Sequence, residues 1–378
     1  MGKSRLGDYI KEYSVKNKND EDIPVYSVTN TQGFCKDYFG KEVASKDKTT
    51  YKIVPRGCFA YNPSRINVGS VDWQRNEDRV IVSPLYNVFS VSEELNLQYL
   101  YYYLKSDFAL QRIRAVATGS VRDNLKLNML YEFPINIPTI DEQNILVDKL
   151  DKARKIIAFH QKELQLLDEL ARSRFVELFG DPVHNDKGWE TDTVENLCEK
   201  IYGGGTPSKA HPEYYEEGDI PWVSSKDMKT DVLTDSQIKI NQLGVDNSTA
   251  KIVPVNSVIV VIRSGILKHT LPVAINAVPI TVNQDLKVFI PGESIVSRFL
   301  SVQFKMHEKD ILTGVRAVTA DNIEFNMLKQ RELIVPPIEL QKEYVTFLNQ
   351  IDKSKLIVQK ELDETQLLFD SLMQEYFG

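Results

Sequence analysis

The chain has 378 residues, 42% of them hydrophobic and 26% charged, which suits two to three domains with cores of their own. Its net charge of −7 argues against a generic nucleic-acid binder, because phosphate neutralisation requires local clusters of Lys and Arg. Cys35, Cys58 and Cys198 stand alone, with no Cys-x-x-Cys pair and no His at ligand spacing; they read as ordinary cytosolic thiols and give no metal site.

In chain order, residues 1–137 come first, a mixed α and β segment with 19 Lys/Arg against 16 Asp/Glu. Residues 52–61 and 79–83 are strand-like, with turn residues at Asn62-Pro63-Ser64 and Asn67-Val68-Gly69. Residues 96–113 read as one helix rich in Tyr99, Tyr101, Tyr102 and Tyr103. A long helix follows Pro138. Its positions Leu146, Leu150, Ala153, Ile157, His160, Leu164, Leu167, Ala171, Arg174 and Leu178 form a seam of period 3.5 in which eight of ten are apolar. No Gly or Pro interrupts residues 141–179, so the helix should be roughly 55–60 Å long. Residues 181–335 form a second mixed segment, 16 basic against 21 acidic, in which 251–261 repeats the first strand pattern and 297–311 matches the tyrosine helix. Residues 336–378 are a second long helix, 4 basic against 8 acidic, with the seam Tyr344, Leu348, Ile351, Lys355, Val358, Leu362, Thr365, Phe369, Leu372 and Tyr376.

The two long helices are copies. Ile137-Pro138-Thr139-Ile140-Asp141-Glu142-Gln143 reappears as Val335-Pro336-Pro337-Ile338-Glu339-Leu340-Gln341. Gln161-Lys162-Glu163-Leu164 returns unchanged as Gln359-Lys360-Glu361-Leu362, at a constant offset of 198. The two segments also close alike: Thr118-Gly119, Asp123-Asn124 and Asn128-Met129-Leu130 recur as Thr313-Gly314, Asp321-Asn322 and Asn326-Met327-Leu328. A period near 200 is too long for a solenoid unit, so it means a duplicated domain with its connecting element. The polar breaks in the seams differ, His160 and Arg174 against Lys355 and Thr365, which suits two unlike helices packing on each other. The expected packing positions are Leu150, Ile157, Leu164, Leu167, Leu348, Val358, Leu362 and Phe369. A generic amphipathic helix on a core is the other reading, but it gives the ungapped duplication no purpose.

Several runs now carry a resemblance. They are Leu6-Gly7-Asp8-Tyr9-Ile10, Tyr61-Asn62-Pro63-Ser64-Arg65-Ile66-Asn67-Val68-Gly69-Ser70, Val82-Ser83-Pro84-Leu85-Tyr86 and Gly203-Gly204-Gly205-Thr206-Pro207-Ser208-Lys209. With Gly218-Asp219-Ile220-Pro221-Trp222-Val223-Ser224-Ser225-Lys226-Asp227 and the Pro-x-x-x-x-Gln opening of each long helix, they resemble the specificity (S) subunit of type I restriction-modification systems over essentially the whole chain. The resemblance implies two target-recognition domains held apart by an antiparallel pair of helices, each domain reading one half of a bipartite DNA site. It also implies two methyltransferase (M) subunits docked on this frame, joined by restriction/translocase (R) subunits.

Under that resemblance Asn62, Ser64, Arg65 and Asn67 form a polar turn offered to DNA, or else a loop tying its own backbone. Asn62-Pro63-Ser64-Arg65 matches the Asn-Pro-Pro-Tyr motif of adenine methyltransferases at only two of four positions, and no Gly-rich turn suited to S-adenosylmethionine accompanies it. The three glycines 203–205 are expected to let the backbone approach DNA, with Thr206, Ser208 and Lys209 on phosphate; a flexible turn with a solvated lysine is the alternative. The sequence lacks the Gly-Lys-Ser/Thr ending of a nucleotide phosphate loop. Ser224, Ser225 and Lys226 are further DNA candidates, beside a Trp222 that reads as core. Arg263 suits guanine readout or phosphate binding, or an ion pair with an acidic neighbour. The tyrosines at 99–103 read as core packing, with a stacking platform as the alternative.

The expected architecture is therefore α+β: first recognition domain 1–137, first spacer helix 138–180, second recognition domain 181–335 and second spacer helix 336–378, with pseudo-two-fold symmetry. The expected function is non-catalytic recognition of double-stranded DNA, with M and R subunits as partners and no cofactor or metal. A standalone coiled-coil structural protein and a self-sufficient methyltransferase are the alternatives. No apolar stretch approaches a membrane span and the start, Met1-Gly2-Lys3-Ser4-Arg5, lacks a signal region, so a cytoplasmic location is expected.

Overall fold

The computed structural model describes residues 4–36, 47–117, 124–313, 316–317 and 321–378; Met1, Gly2, Lys3, Thr118, Gly119, Asp123 and Gly314 lie outside the described residues. The chain divides into two compact units, Met1–Glu163 with Val358–Gly378, and Leu164–Ile357. Each unit thus holds one mixed segment together with part of each long helix.

Unit one is built on a four-stranded antiparallel sheet in the order Ile10–Glu12, Asn87–Val91, Phe59–Tyr61, Val71–Trp73. Unit two repeats that order with Cys198–Gly203, Leu286–Pro291, Val258–Val261 and Val273–Asn276, and adds Val232–Leu233 in parallel on the last strand. The registers agree, since Phe59 faces Phe89 in one sheet and Val258 faces Phe289 in the other. On each frame sits an unlike lobe. In unit one it pairs Ser27–Thr29 with Gly33–Cys35 and Lys52–Pro55 with Arg79–Val82, over a core that includes Val28, Phe34, Val54 and Val80. In unit two Ile220–Val223 pairs with Lys239–Ile240 and with Thr281–Val282, around Trp222, Ile240 and Ala250.

Four expected elements are shorter than their apolar pattern suggested. The strand expected over 52–61 is two strands, because Gly57 takes φ +83 and its N–H turns away to Gln74 O at 2.8 Å. The strand expected over 251–261 begins only at Val258, since Pro254 lacks an N–H and Asn256, at φ +62, turns the chain while Ser257 Oγ donates to Pro254 O at 2.8 Å. The helix expected over 96–113 is two helices, Leu97–Lys105 and Asp107–Val116. Ser106 Oγ accepts the Ala109 N–H at 3.2 Å and so caps the second helix instead of continuing the first. Its counterpart over 297–311 divides at His307 into Ser297–Met306 and Glu308–Thr313.

The long helices span Ile140–Phe179 and Ile338–Phe377, 40 residues each. At about 1.5 Å per residue each is about 60 Å long. Thr139 and Glu142 form a reciprocal capping box at the first start, Thr139 N–H to Glu142 Oε2 at 2.8 Å and Glu142 N–H to Thr139 Oγ1 at 3.4 Å. Gly180, at φ +75, closes that helix with its N–H on Val176 O. All twenty seam positions are buried or half-buried, including the four polar ones. In unit one Leu150 and Phe377 share a core with the helix Leu97–Lys105, the Phe377 ring 5.0 Å from Tyr99 and 6.2 Å from Tyr103. In unit two Phe175, Phe179, Phe299 and Tyr344 form one aromatic cluster, and Tyr344 OH donates to Ala171 O at 3.1 Å. Tyr99, Tyr102 and Tyr103 are core residues whose hydroxyls donate to Asn136 O, Asp151 Oδ1 and Pro134 O.

Candidate nucleic-acid interface

In unit one the candidate turn leaves the frame strand at Tyr61, a buried residue whose hydroxyl donates to Leu125 O at 3.1 Å. Asn62 Oδ1 accepts the Ser64 N–H at 3.0 Å, an Asx turn, and Asn62 O then accepts from both Arg65 and Ile66 N–H. Ser64 Oγ donates to Asn124 Oδ1 at 2.7 Å, and Leu125 N–H donates to Pro63 O at 3.1 Å, so the closing motif is stitched onto the turn. The carbonyl of half-buried Asn67 accepts from Arg114 Nε at 3.2 Å. The four candidates therefore share one turn with unequal duties. Asn62 and Ser64 hold its shape, whereas Arg65 is exposed and has no ion pair among the described residues.

In unit two the strand Thr281–Val282 and the three residues after it gather the candidates. Gly205 N–H donates to Val282 O at 3.0 Å, and the Thr206 hydroxyl bonds the Gln284 side chain. Asn283 N–H donates to Val223 O at 2.9 Å, next to Ser224. Arg263 sets Nε and Nη2 on Asp285 Oδ1 at 2.6 and 2.5 Å. Ile323 N–H donates to Ile262 O at 2.8 Å, the counterpart of the Leu125–Pro63 bond in unit one.

Two of the glycines have a structural reason of their own. A Cβ on Gly204 would lie 1.9 Å from Val282 O, and one on Gly205 would lie 2.3 Å from Thr249 Oγ1. The close approach they permit is to the protein's own backbone. Trp222, 7% exposed, donates its indole N–H to Gly205 O at 2.9 Å and locks the loop from below. Ser224 likewise serves its own turn, its hydroxyl and N–H both on Asp227 Oδ2 at 2.8 Å. Ser208 is exposed and its Oγ accepts the Ala210 N–H at 3.3 Å; Ser225 is half-buried. Lys209 and Lys226 are exposed cations without an ion pair among the described residues. Arg263 takes the ion-pair alternative, although its half-exposed side chain makes the pair weak, of about 0–1 kcal/mol.

Sequence reasoning passed over Asn283, Gln284 and Asp285, and also Lys287. Burial, and then the neighbouring Arg263 charge, hold the Lys287 amine below its usual value, and it lies 4.6 Å over the Phe325 ring. For Asn283, Gln284 and Asp285 the available signal was positional: they lie 200 after Ser83-Pro84-Leu85, inside a run already singled out, and Leu85 is 78% exposed. The packing positions on the long helices divide by depth. Leu150, Leu348 and Val358 are buried, while Ile157, Leu164, Leu167, Leu362 and Phe369 are half-buried. Burial pushes the Cys198 thiol up to about 12 and raises that of Cys58, which keeps both protonated. Among the described residues no group of three or more His, Cys, Asp or Glu is arranged to hold a metal ion, and no helix is long and apolar enough to cross a membrane. What the two sites offer is a set of exposed cations and amide or hydroxyl groups on rigid turns, the equipment for phosphate and base-edge contacts.

The type I restriction modification DNA specificity domain family matches the chain twice, over residues 3–169 and 186–366. A type I restriction enzyme specificity subunit from Escherichia coli is 32% identical over 230 residues, 58% of this chain and 55% of its own length. Another, from Methanocaldococcus jannaschii, is 22% identical over 294 residues, 73% of this chain and 67% of its own length. The matched stretch thus spans about half the length of the first relative. The fold is similar to that of the type I restriction-modification S subunit from M. genitalium, with a TM-score of 0.60 at 14% identity over 100% of this chain and 96% of that one. It is similar also to a chain solved in work on complex assembly and conformational transition of the type I R-M system, with a TM-score of 0.59 at 16% identity over 99% and 96%.

Proposed function

Since this chain belongs to the type I restriction modification DNA specificity family, we propose that it is the DNA-reading, non-catalytic subunit of a type I restriction-modification enzyme. Segments 1–137 and 181–335 each read one half of a bipartite site in double-stranded DNA, and the helices 138–180 and 336–378 pair antiparallel as the spacer between them. The observation that carries this reading is the frame sheet, built twice in one strand order and dressed with two unlike lobes. A common frame with different lobes is what two different DNA words require. In each unit the start of one long helix and the end of the other enter a common core, which supports the antiparallel pairing.

The chain also serves as the platform for two methyltransferase subunits and, through them, for restriction subunits. Large apolar residues left exposed on the long helices support docking: Ile156, Phe159, Leu367 and Leu368 in unit one, and Leu166, Leu170, Leu356 and Ile357 in unit two. A basic partner would also offset the charge of −7 when the assembly meets DNA. The test is the methylation pattern of DNA from cells expressing this chain with its methyltransferase subunit. A single split motif with two fixed half-sites and a constant gap is expected. A contiguous motif, or no motif that depends on this chain, would refute the reading.

A further inference from the structure

The helices Leu97–Lys105 and Ser297–Met306 follow their frame sheets in the same register, so their residues correspond at an offset of 200, as those of the long helices do at 198. In unit one the matching face is filled with rings. Tyr102 packs on Phe369 with centroids 6.1 Å apart, and Tyr101 lies 5.7 Å from Tyr102. Lys105, Arg154 and Arg75 approach the Tyr101 ring at 5.5, 5.6 and 5.7 Å. The counterparts in unit two are Ser301, Val302 and Ala171, so three rings are missing there. A cavity of about 240 Å³ occupies that place, walled by Ser301, Val302, Ala171, Tyr344, Leu348 and Ile351. Unit one has a cleft beside these rings, bounded by Ser106, Phe108, Met373 and Phe377 and walled in part by Phe369 itself and by Lys105.

The cavity opens to the surface, and charged and polar side chains share its lining with the apolar ones. Ser301 is 1% exposed, yet its hydroxyl has no hydrogen-bond partner among the described residues. Arg298 also lines the cavity; its Nε is buried and has no hydrogen-bond partner among the described residues, while its Nη2 is held by Asp352 at 3.0 Å. Two buried polar atoms thus want a partner, a costly state unless something completes the site. Lys305 and Lys355 border the cavity, paired with Asp231 and Asp168. Apolar walls, two unmet hydrogen-bonding groups and bordering cations together suit an aromatic ring that carries an acceptor oxygen. Such a ring would restore what Tyr101 and its neighbours supply in unit one.

We propose that the Ser301 cavity of unit two is a binding site for one aromatic ring bearing an acceptor oxygen, supplied by another molecule. A free phenolic compound and a tyrosine side chain of a docked subunit share this chemistry, and the experiment separates them. p-Cresol, the tyrosine side chain as a free molecule, is titrated into the full-length chain while the methyl resonances of Val302, Leu348 and Ile351 are followed by NMR. Saturable shifts at these methyls with a Kd of about 1 mM are expected for a ligand of this size. Ser301→Tyr, which puts back the ring of unit one, should weaken binding at least about tenfold, a loss of about 1.4 kcal/mol. Ser301→Ala, which keeps the space and removes the hydroxyl, should weaken it less; it serves as the working variant if Ser301→Tyr fails to fold. Repeating the titration with the methyltransferase subunit bound assigns the source. Displacement of p-cresol identifies a ring carried by that subunit, and undiminished binding identifies a free ligand. No shift at these methyls up to about 10 mM, ten times the expected Kd, or equal binding in wild type and both variants, overturns the proposal.

Discussion

Gln341 Oε1 accepts the main-chain N–H of Val296 at 3.0 Å, while its Nε2 donates to Ser294 O and Pro336 O at 3.0 and 2.8 Å. Gln143 repeats the arrangement in unit one, taking the Asn96 N–H at 2.8 Å and donating to Glu94 O and Pro138 O at 2.9 Å. Both glutamines are fully buried. Each fastens the start of a long helix to the loop that enters the short helix above it. Gln341→Ala leaves three main-chain groups without their partner, and a loss of about 2–4 kcal/mol is expected. Denaturant unfolding measures it, with Gln143→Ala as the matched control. A loss below about 1 kcal/mol in both would mean that water replaces the amide at no cost.

His307 supplies a pH dependence. It is 3% exposed and sits where the helix expected over 297–311 breaks. Burial, and then the Arg331 charge, hold its imidazole at about 4, below its ordinary 6.5. As pH falls the unfolded chain therefore takes up the proton first. The contribution is fully present above 6.5 and is lost as pH falls toward 4. The loss attributable to this group approaches about 3 kcal/mol. His307→Gln, neutral at every pH, should flatten that part of the stability profile. Urea midpoints between pH 7 and 4 give the comparison, and parallel profiles for the two proteins would rule the assignment out.

The long helices were legible because a 3.5-residue seam sustained over ten positions, bounded by Pro138 and Gly180, has no competing structure. The strands and short helices were less so. Apolar patterning runs through Gly57, Asn256 and Ser106, where a left-handed φ or a side-chain cap overrides it. In the site, the turn 62–67 could be read locally because its bonds are local. The role of Asp285 could not, since its partner Arg263 lies 22 residues away and no local pattern marks the pair. The glycines 204 and 205 show a related limit: close approach is visible in sequence, but its partners Val282 and Thr249, 78 and 44 residues away, are not.

The Arg263–Asp285 pair makes a charge prediction. Asp285→Asn keeps the side-chain shape and releases the guanidinium. If this turn faces DNA, the slope of log affinity against log salt should steepen by about 1. Lys209→Ala should flatten it by about 1, equally for specific and random DNA. Anisotropy titrations at several salt concentrations, with methyltransferase subunits bound, report both. Slopes unchanged in both variants would place this face away from phosphate. The exposed pair is worth about 0–1 kcal/mol, so folding stability should barely move.

The spacer reading is tested by shortening both long helices together. Residues 157–163 and 355–361 each span one seven-residue period, so their removal keeps the phase of both seams. The deletion also takes out His160 and Glu361, which face each other at 4.0 Å in unit one, so neither is left without the other. Each helix shortens by about 10 Å, and the gap between half-sites should contract by about 3 base pairs, with both half-sites unchanged. Deleting seven residues from only one helix breaks the match between the seams and should abolish assembly instead. Methylation patterns from cells carrying the doubly shortened chain read the gap directly. If that chain assembles and the gap stays constant, the helices do not set the spacing. Altered half-site bases, in turn, would show that the recognition segments depend on helix length, against the modular reading.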